Sequence, residues 1–210
     1  MTTAAADPEA LPPPPPRDPA AMLARLRADW GGRADLWVFG YASLLWRPEF
    51  EAVEHRSALV RGWHRALRMR SRINRGTPQV PGLVFALLPG GACRGDVYRL
   101  PRQRADAELE RLWAREMPTG VYDPRWLPCR TALGVVPALA FTLSRRSEAC
   151  LPRLPDEQML HILRHARGRY GTTLDYLAGT AGALRERGVY DREIERLMRL
   201  AAQHGLLDVG

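Results

Sequence analysis

The chain of 210 residues predicts an α+β domain in which most strands precede most helices. Two observations carry that expectation. Between residues 36 and 143 apolar side chains fall in short continuous runs or at every second position, broken by glycine and proline, as strands and turns require. From Pro155 onward they recur at three- and four-residue spacing, the mark of amphipathic helices.

The length fits one domain, at roughly 100 to 200 residues each. We assign it to residues 18–210, behind a disordered tail over residues 1–17. That tail holds an alanine-rich start and the run Pro12 to Pro16, which cannot build a core. Asp18 and Pro19 then open a helix as N-cap and first helical residue. Leu23, Leu26 and Trp30 supply its apolar face, and Gly31-Gly32 end it. Leu36 to Phe39 form a short strand buried on both faces, and Gly40 permits a close approach or a backbone geometry that a side chain would obstruct. Tyr41, Ala42, Ser43 and Leu44 follow. They are either an ordinary turn or, with their amides aligned, a concave nest for a carboxylate or phosphate.

Over Ser57 to Ser71 the period is two: Leu67 and Met69 alternate with Arg68, Arg70 and Arg72, giving a half-buried strand with one guanidinium-lined face. Residues 73–82 are a loop by their glycine and proline content. Strands over 83–88 and 96–100 are expected to form a hairpin through Pro89–Gly91. Residues 102–117 return to helical spacing through Ala105, Leu109, Leu112, Trp113 and Met117, and Pro118–Gly120 stop them. Two further strands, 127–133 and 135–143, meet at Gly134. Pro155-Asp156, Thr172 or Thr173, and Asp191 begin three closing helices.

The net charge of +8 comes from arginine alone, since the chain has no lysine. Such a chain attracts anions in general. Its arginines are scattered over every element, which argues against a nucleic-acid partner, as does the lack of an interleaved aromatic and basic pattern. No apolar run approaches the roughly 18 to 20 residues of a membrane span, and the N-terminus lacks a basic segment followed by an apolar one. Cys93, Cys129 and Cys150 form no CxxC pair, as suits reduced thiols in a cytoplasmic protein.

Among residues that could carry chemistry, Glu116 is out of place. It falls in the last turn of a helix, where the dipole disfavours a carboxylate, between apolar Trp113 and Met117. It is either a proton-transfer group with a raised pKa or an exposed partner of Arg115 or Arg111. Glu157, His161 and His165 share a helical face, either as the start of a metal site or as solvated polar residues. Ser43 lacks the surroundings of a nucleophile elbow. The glycines at 90, 91 and 95 match no phosphate-binding pattern, and a chain without lysine has no Walker motif. We expect neither a metal nor a nucleotide cofactor.

Six segments together carry a resemblance: VFGYASLLW at 38–46, GWHR at 62–65, RGTP then PG at 75–82, GDVYRLP at 95–101, LWAREMPTGVY at 112–122 and HARGRYGTTLDYL at 165–177. In this order, over about residues 36–200, the chain resembles the ChaC-like glutathione-specific γ-glutamylcyclotransferases. The resemblance implies a mixed β-barrel with surrounding helices and a helical C-terminal region. It implies cleavage of glutathione into 5-oxoproline and cysteinylglycine, with Glu116 as catalytic acid/base. Gly40, Tyr41, Ala42, Ser43 and Leu44 would hold the α-carboxylate end of the γ-glutamyl group, largely by backbone amides. Tyr122 would hydrogen-bond near the reacting amine or serve as a core aromatic. Arg72 and Arg75 would meet the glycyl carboxylate or form surface ion pairs. Another γ-glutamyl substrate and an arginine-rich nucleic-acid-binding barrel are the alternatives. The chain departs from the family at Ala42, where the usual turn has glycine, and at Phe141, where many relatives carry tyrosine.

Overall fold

The computed structural model describes residues 17–207, so the proline run expected to be a tail lies outside the described residues. Arg17, counted with that tail, is tied to the domain: it donates to the Tyr122 carbonyl at 3.0 Å and pairs with Asp123 at 2.7 Å. Five strands form a closed barrel: β1 (Leu36–Gly40), β2 (Glu54–Ser71), β3 (Gly82–Leu100), β4 (Asp123–Thr131) and β5 (Gly134–Thr142). Their order is β1-β3-β2-β4-β5. Parallel contacts of β5 with β1 and β3 close it. Five helices surround it: α1 (Pro19–Trp30), α2 (Arg102–Glu116), α3 (Asp156–His165), α4 (Thr173–Glu186) and α5 (Arg192–Gln203).

The buried apolar run of β1 has the cause inferred from its sequence. Leu36 and Val38 join a cluster with Leu26 of α1 and Leu109, Leu112 and Trp113 of α2. Phe39 joins a second cluster with Leu163, Leu177, Leu184 and Leu197 of α3, α4 and α5. Helices thus cover opposite faces of the sheet, and no position of β1 faces water alone.

The expected hairpin within residues 83–100 is corrected. β3 runs unbroken from Gly82 to Leu100 and pairs along its length with β2. Pro89-Gly90-Gly91 reads as a reversal, yet both flanks find partners on β2. The positive φ of Gly90 (104°) and Gly91 (73°) instead serves a register shift opposite Gly62 (φ 81°), where the paired strands bend. A second shift between Leu67 and Met69 breaks the predicted alternation of β2. A two-residue hairpin, Arg167–Gly168 with Gly171–Thr172, was not expected. It packs on the 72–81 loop, Arg169 and Tyr170 donating to the Ile73 and Asn74 carbonyls at 2.8 and 2.9 Å.

The predicted helix starts hold. Asp18 accepts from the Ala20 amide at 2.8 Å, Thr172 and Asp175 form a capping box, and Asp191 accepts from Ile194 at 3.2 Å. Among the described residues no helix is long and apolar enough to cross a membrane.

Close approach in the barrel makes a test. A Cβ on Gly95 would lie 2.2 Å from the Gly40 carbonyl oxygen, backbone that cannot swing away, whereas one on Gly182 in α4 meets nothing within 4 Å. Gly95→Ala is expected to destabilise by about 3 kcal/mol. Gly182→Ala should instead stabilise by about 0.5 to 1 kcal/mol. Urea midpoints of the two variants check both signs.

Candidate active site

The chain leaves β1 at Gly40 into a short 3-10 turn, Ser43–Leu45. Gly40 is required by space: a Cβ there would sit 2.9 Å from both the Leu44 Cβ and a Tyr98 ring carbon. Ala42, where the family's glycine stands, has φ −144°. No left-handed conformation is needed, and the alanine carries no penalty on that account. Leu45 donates to the Ala42 carbonyl at 2.9 Å, and Trp46 and Arg47 to that of Ser43 at 3.2 and 2.7 Å. The amides of Tyr41 to Leu44 find no such acceptor among the described residues.

Side chains hold the turn's carbonyls from outside. Tyr98 donates to the Leu44 carbonyl at 2.9 Å, Arg187 to that of Leu45 at 2.8 Å, Arg115 to that of Arg47 at 2.7 Å, and buried Arg65 to that of Tyr41. Arg65 and Arg187 are themselves fixed by Asp191 and Asp96 at 2.9 and 2.7 Å.

Glu116 closes α2 at the wall of a cavity of about 930 Å³. Its side chain is 17% exposed, with the Arg115 Nε 3.1 Å from Oε1. Burial pushes its pKa above the ordinary glutamate value. Arg115 opposes that shift and Glu49 adds to it. The phenols of Tyr41, Tyr122 and Tyr176 stand near the same carboxyl, and burial raises all three above the usual tyrosine range. They stay protonated. The Tyr41 hydroxyl donates to the Phe141 carbonyl at 3.0 Å.

The cavity brings together Ser43, Arg72, Arg75, Glu116 and Tyr122 among the residues singled out from sequence. Gly40, Tyr41, Ala42 and Leu44, which flank Ser43 in the chain, are not among its lining residues. Arg75 is buried. It donates to the Tyr170 carbonyl and lies 5.1 Å from the Tyr176 ring centre and 5.9 Å from that of Trp46. Arg72 is exposed at the rim. With Arg70 and Arg146, which also line the cavity, it forms no ion pair among the described residues. Phe141 packs between Trp113 and Tyr122, ring centres 6.1 Å from each.

Sequence reasoning missed Trp46, Arg47, Arg115 as a wall residue, and Tyr176. Tyr176 reads as one more apolar position of α4, and no spacing separates it from the core. Arg115 was visible only as a neighbour of Glu116. Cys93 and Cys129 are buried, their thiols pushed up to about 11 and about 12, so neither is a ready nucleophile. His161 and His165 lie with ring centres 4.7 Å apart. Among the described residues no group of three or more His, Cys, Asp or Glu gathers as a metal site.

The raised Glu116 pKa sets a direction for stability. A carboxyl that titrates higher when folded than when unfolded costs nothing below the ordinary glutamate range. The cost grows as pH rises toward the folded value and is then constant. Glu116→Gln should therefore raise the thermal midpoint at pH 8, and the gain should vanish by about pH 4. Melting curves across that range give the sign directly.

A family model described as ChaC-like protein matches residues 36–204. The chain is 35% identical over 182 residues to the glutathione-specific γ-glutamylcyclotransferase of Escherichia coli strain K12, covering 85% of this chain and 78% of that protein. It is 31% identical over 170 residues to glutathione-specific γ-glutamylcyclotransferase 1 of Mus musculus, covering 79% and 76%. A crystal structure of the yeast γ-glutamyl cyclotransferase specific to glutathione shares the fold, with a TM-score of 0.74 at 21% identity over 82% of this chain and 97% of that one. With the match spanning the barrel and helices α2 to α5, the chain belongs to the ChaC-like family.

Proposed function

We propose that the protein is a γ-glutamylcyclotransferase that splits glutathione into 5-oxoproline and cysteinylglycine. The observation that carries the reading is a carboxyl at a cavity wall, Glu116, tied through Arg115 to a turn whose leading amides show no backbone acceptor outside the regular elements among the described residues. Relatives named for glutathione cleavage support it.

The chemistry follows from proton traffic. The α-ammonium of the γ-glutamyl group gives a proton to Glu116, the freed amine attacks its own γ-carbonyl carbon, and a five-membered ring forms. The bond to the cysteinyl nitrogen then breaks as Glu116 returns that proton to the departing amine. The second proton of the ring nitrogen follows through the same carboxylate, leaving a lactam N–H and the ammonium of cysteinylglycine. No water is consumed. An α-amine titrates roughly three to four units above an ordinary glutamate, each unit worth about 1.4 kcal/mol. Burial of Glu116 narrows that gap, as a general base requires.

Attack is intramolecular, so the protein's task is to hold the γ-glutamyl chain folded. The Tyr41–Leu44 amides would take the α-carboxylate. The protonated Tyr122 or Tyr176 phenol would face the developing charge on the γ-carbonyl oxygen. Arg75, committed to carbonyls and rings, shapes the wall. Arg72, assisted by Arg70 and Arg146, would meet the glycyl carboxylate at the rim. A cytoplasmic setting, where thiols stay reduced, suits both substrate and protein.

Incubation with glutathione is expected to release 5-oxoproline and cysteinylglycine in equal amounts. Glu116→Gln should lower the rate at least about 100-fold while remaining folded. Arg72→Ala should raise KM for glutathione about tenfold, the loss of one charge-assisted contact, and leave KM for γ-glutamylalanine nearly unchanged. Faster turnover of γ-glutamylalanine than of glutathione by the wild type would move the assignment to another γ-glutamyl substrate.

A further inference from the structure

Arg115 touches both halves of the candidate site, and no residue type at that position was required by the mechanism above. Its Nη2 donates to the Ser43 hydroxyl at 3.0 Å. Its Nη1 meets the Arg47 carbonyl at 2.7 Å and the Glu49 carboxylate at 3.0 Å. Its Nε stands 3.1 Å from Glu116 Oε1. All three guanidinium nitrogens are engaged, on a side chain only 19% exposed. Glu49 has φ 56°, the one described non-glycine residue with positive φ, a conformation that persists where neighbours enforce it.

We infer that Arg115 is a positioning residue that couples substrate grip to proton transfer, one guanidinium fixing both the 43–49 turn and the Glu116 carboxyl. This rests on the cyclotransferase reading. Lysine could supply the charge and not the fork, because three separate directions must be served at once. The groups around Glu116 are few. Arg115 is its favourable charge and Glu49 its unfavourable one. Tyr41, Tyr122 and Tyr176 approach from the other elements as neutral phenols. Arg115 therefore keeps the carboxyl ionised enough to accept a proton in a place where burial favours the acid.

The test is the pH profile of kcat/KM with glutathione for three variants. Arg115→Gln is expected to move the acidic limb up by about one unit, the effect of losing a single opposite charge, and to raise KM about tenfold as the turn loosens. Arg115→Lys should keep the limb within a few tenths of a unit of the wild type and still show the raised KM. Glu49→Gln, which keeps a side-chain oxygen for Arg115 Nη1 and removes the repelling charge, should move the limb down. An unmoved limb in Arg115→Gln overturns the inference, as does full recovery of KM by Arg115→Lys. Should Arg115→Gln fail to fold, the Glu49→Gln limb decides: a downward shift supports the coupling and none refutes it. Wild-type silence toward both glutathione and γ-glutamylalanine is a different outcome, which removes the cyclotransferase reading and this inference with it.

Discussion

The arrangement rests on how the carbonyls of residues 41–47 are held. Four side chains from β2, β3, α2 and the segment after α4 reach the same few peptide groups. A carbonyl fixed outward turns its peptide plane, which orders the amides beside it. The turn's shape is thus imposed by its surroundings, and residue type inside it matters less. This is how Ala42 is accommodated. What the site needs there is orientation, which Arg65, Tyr98, Arg115 and Arg187 supply.

Those donors are almost all arginine, which explains the chain's composition in part. A guanidinium offers five N–H groups in a plane and can serve a carboxylate and a carbonyl together. Arg187 does so with Asp96 and the carbonyls of Ala183 and Leu45, and Arg65 with Asp191 and the carbonyls of Tyr41 and Arg94. The acids that fix them, Asp96 and Asp191, are supplied by the barrel and by the cap of α5. Paired in this way, buried Arg65 and half-buried Arg187 avoid the cost of an uncompensated charge. The pairs also place chain segments: Asp191 both starts α5 and locks β2.

Much of this was legible in sequence, and the limits follow from physics. The continuous apolar run of β1 signalled burial on both faces because helices do cover both. Caps at Asp18, Thr172 and Asp191 were readable since a side-chain oxygen satisfying its own helix start is a local matter. Glu116 stood out because a carboxylate at a helix C-terminus contradicts the local dipole. The bend at Pro89–Gly91 was misjudged as a reversal, since positive φ glycines serve turns and bulges alike and only the partner strand decides. Tyr176 and the wall role of Arg115 were invisible for the same reason: each comes to line the cavity through contact with segments 60 or more positions away.

That distance shapes when the protein becomes competent. Arg17, Ser43, Arg75, Glu116 and Tyr176 meet at one cavity, while Tyr41 bonds across a hundred positions to Phe141 and Arg65 across 126 to Asp191. Loops of that size close late, because nonlocal pairings are rewarded only after most of the chain has ordered. A partly synthesised chain would hold β1, α2 and Glu116 without α4 or the Asp191 lock. The cavity then lacks a wall and the turn lacks one of its anchors. Ordering of α4 and of Asp191 thus completes the cavity wall and the turn together, and whatever chemistry the cavity performs waits on both.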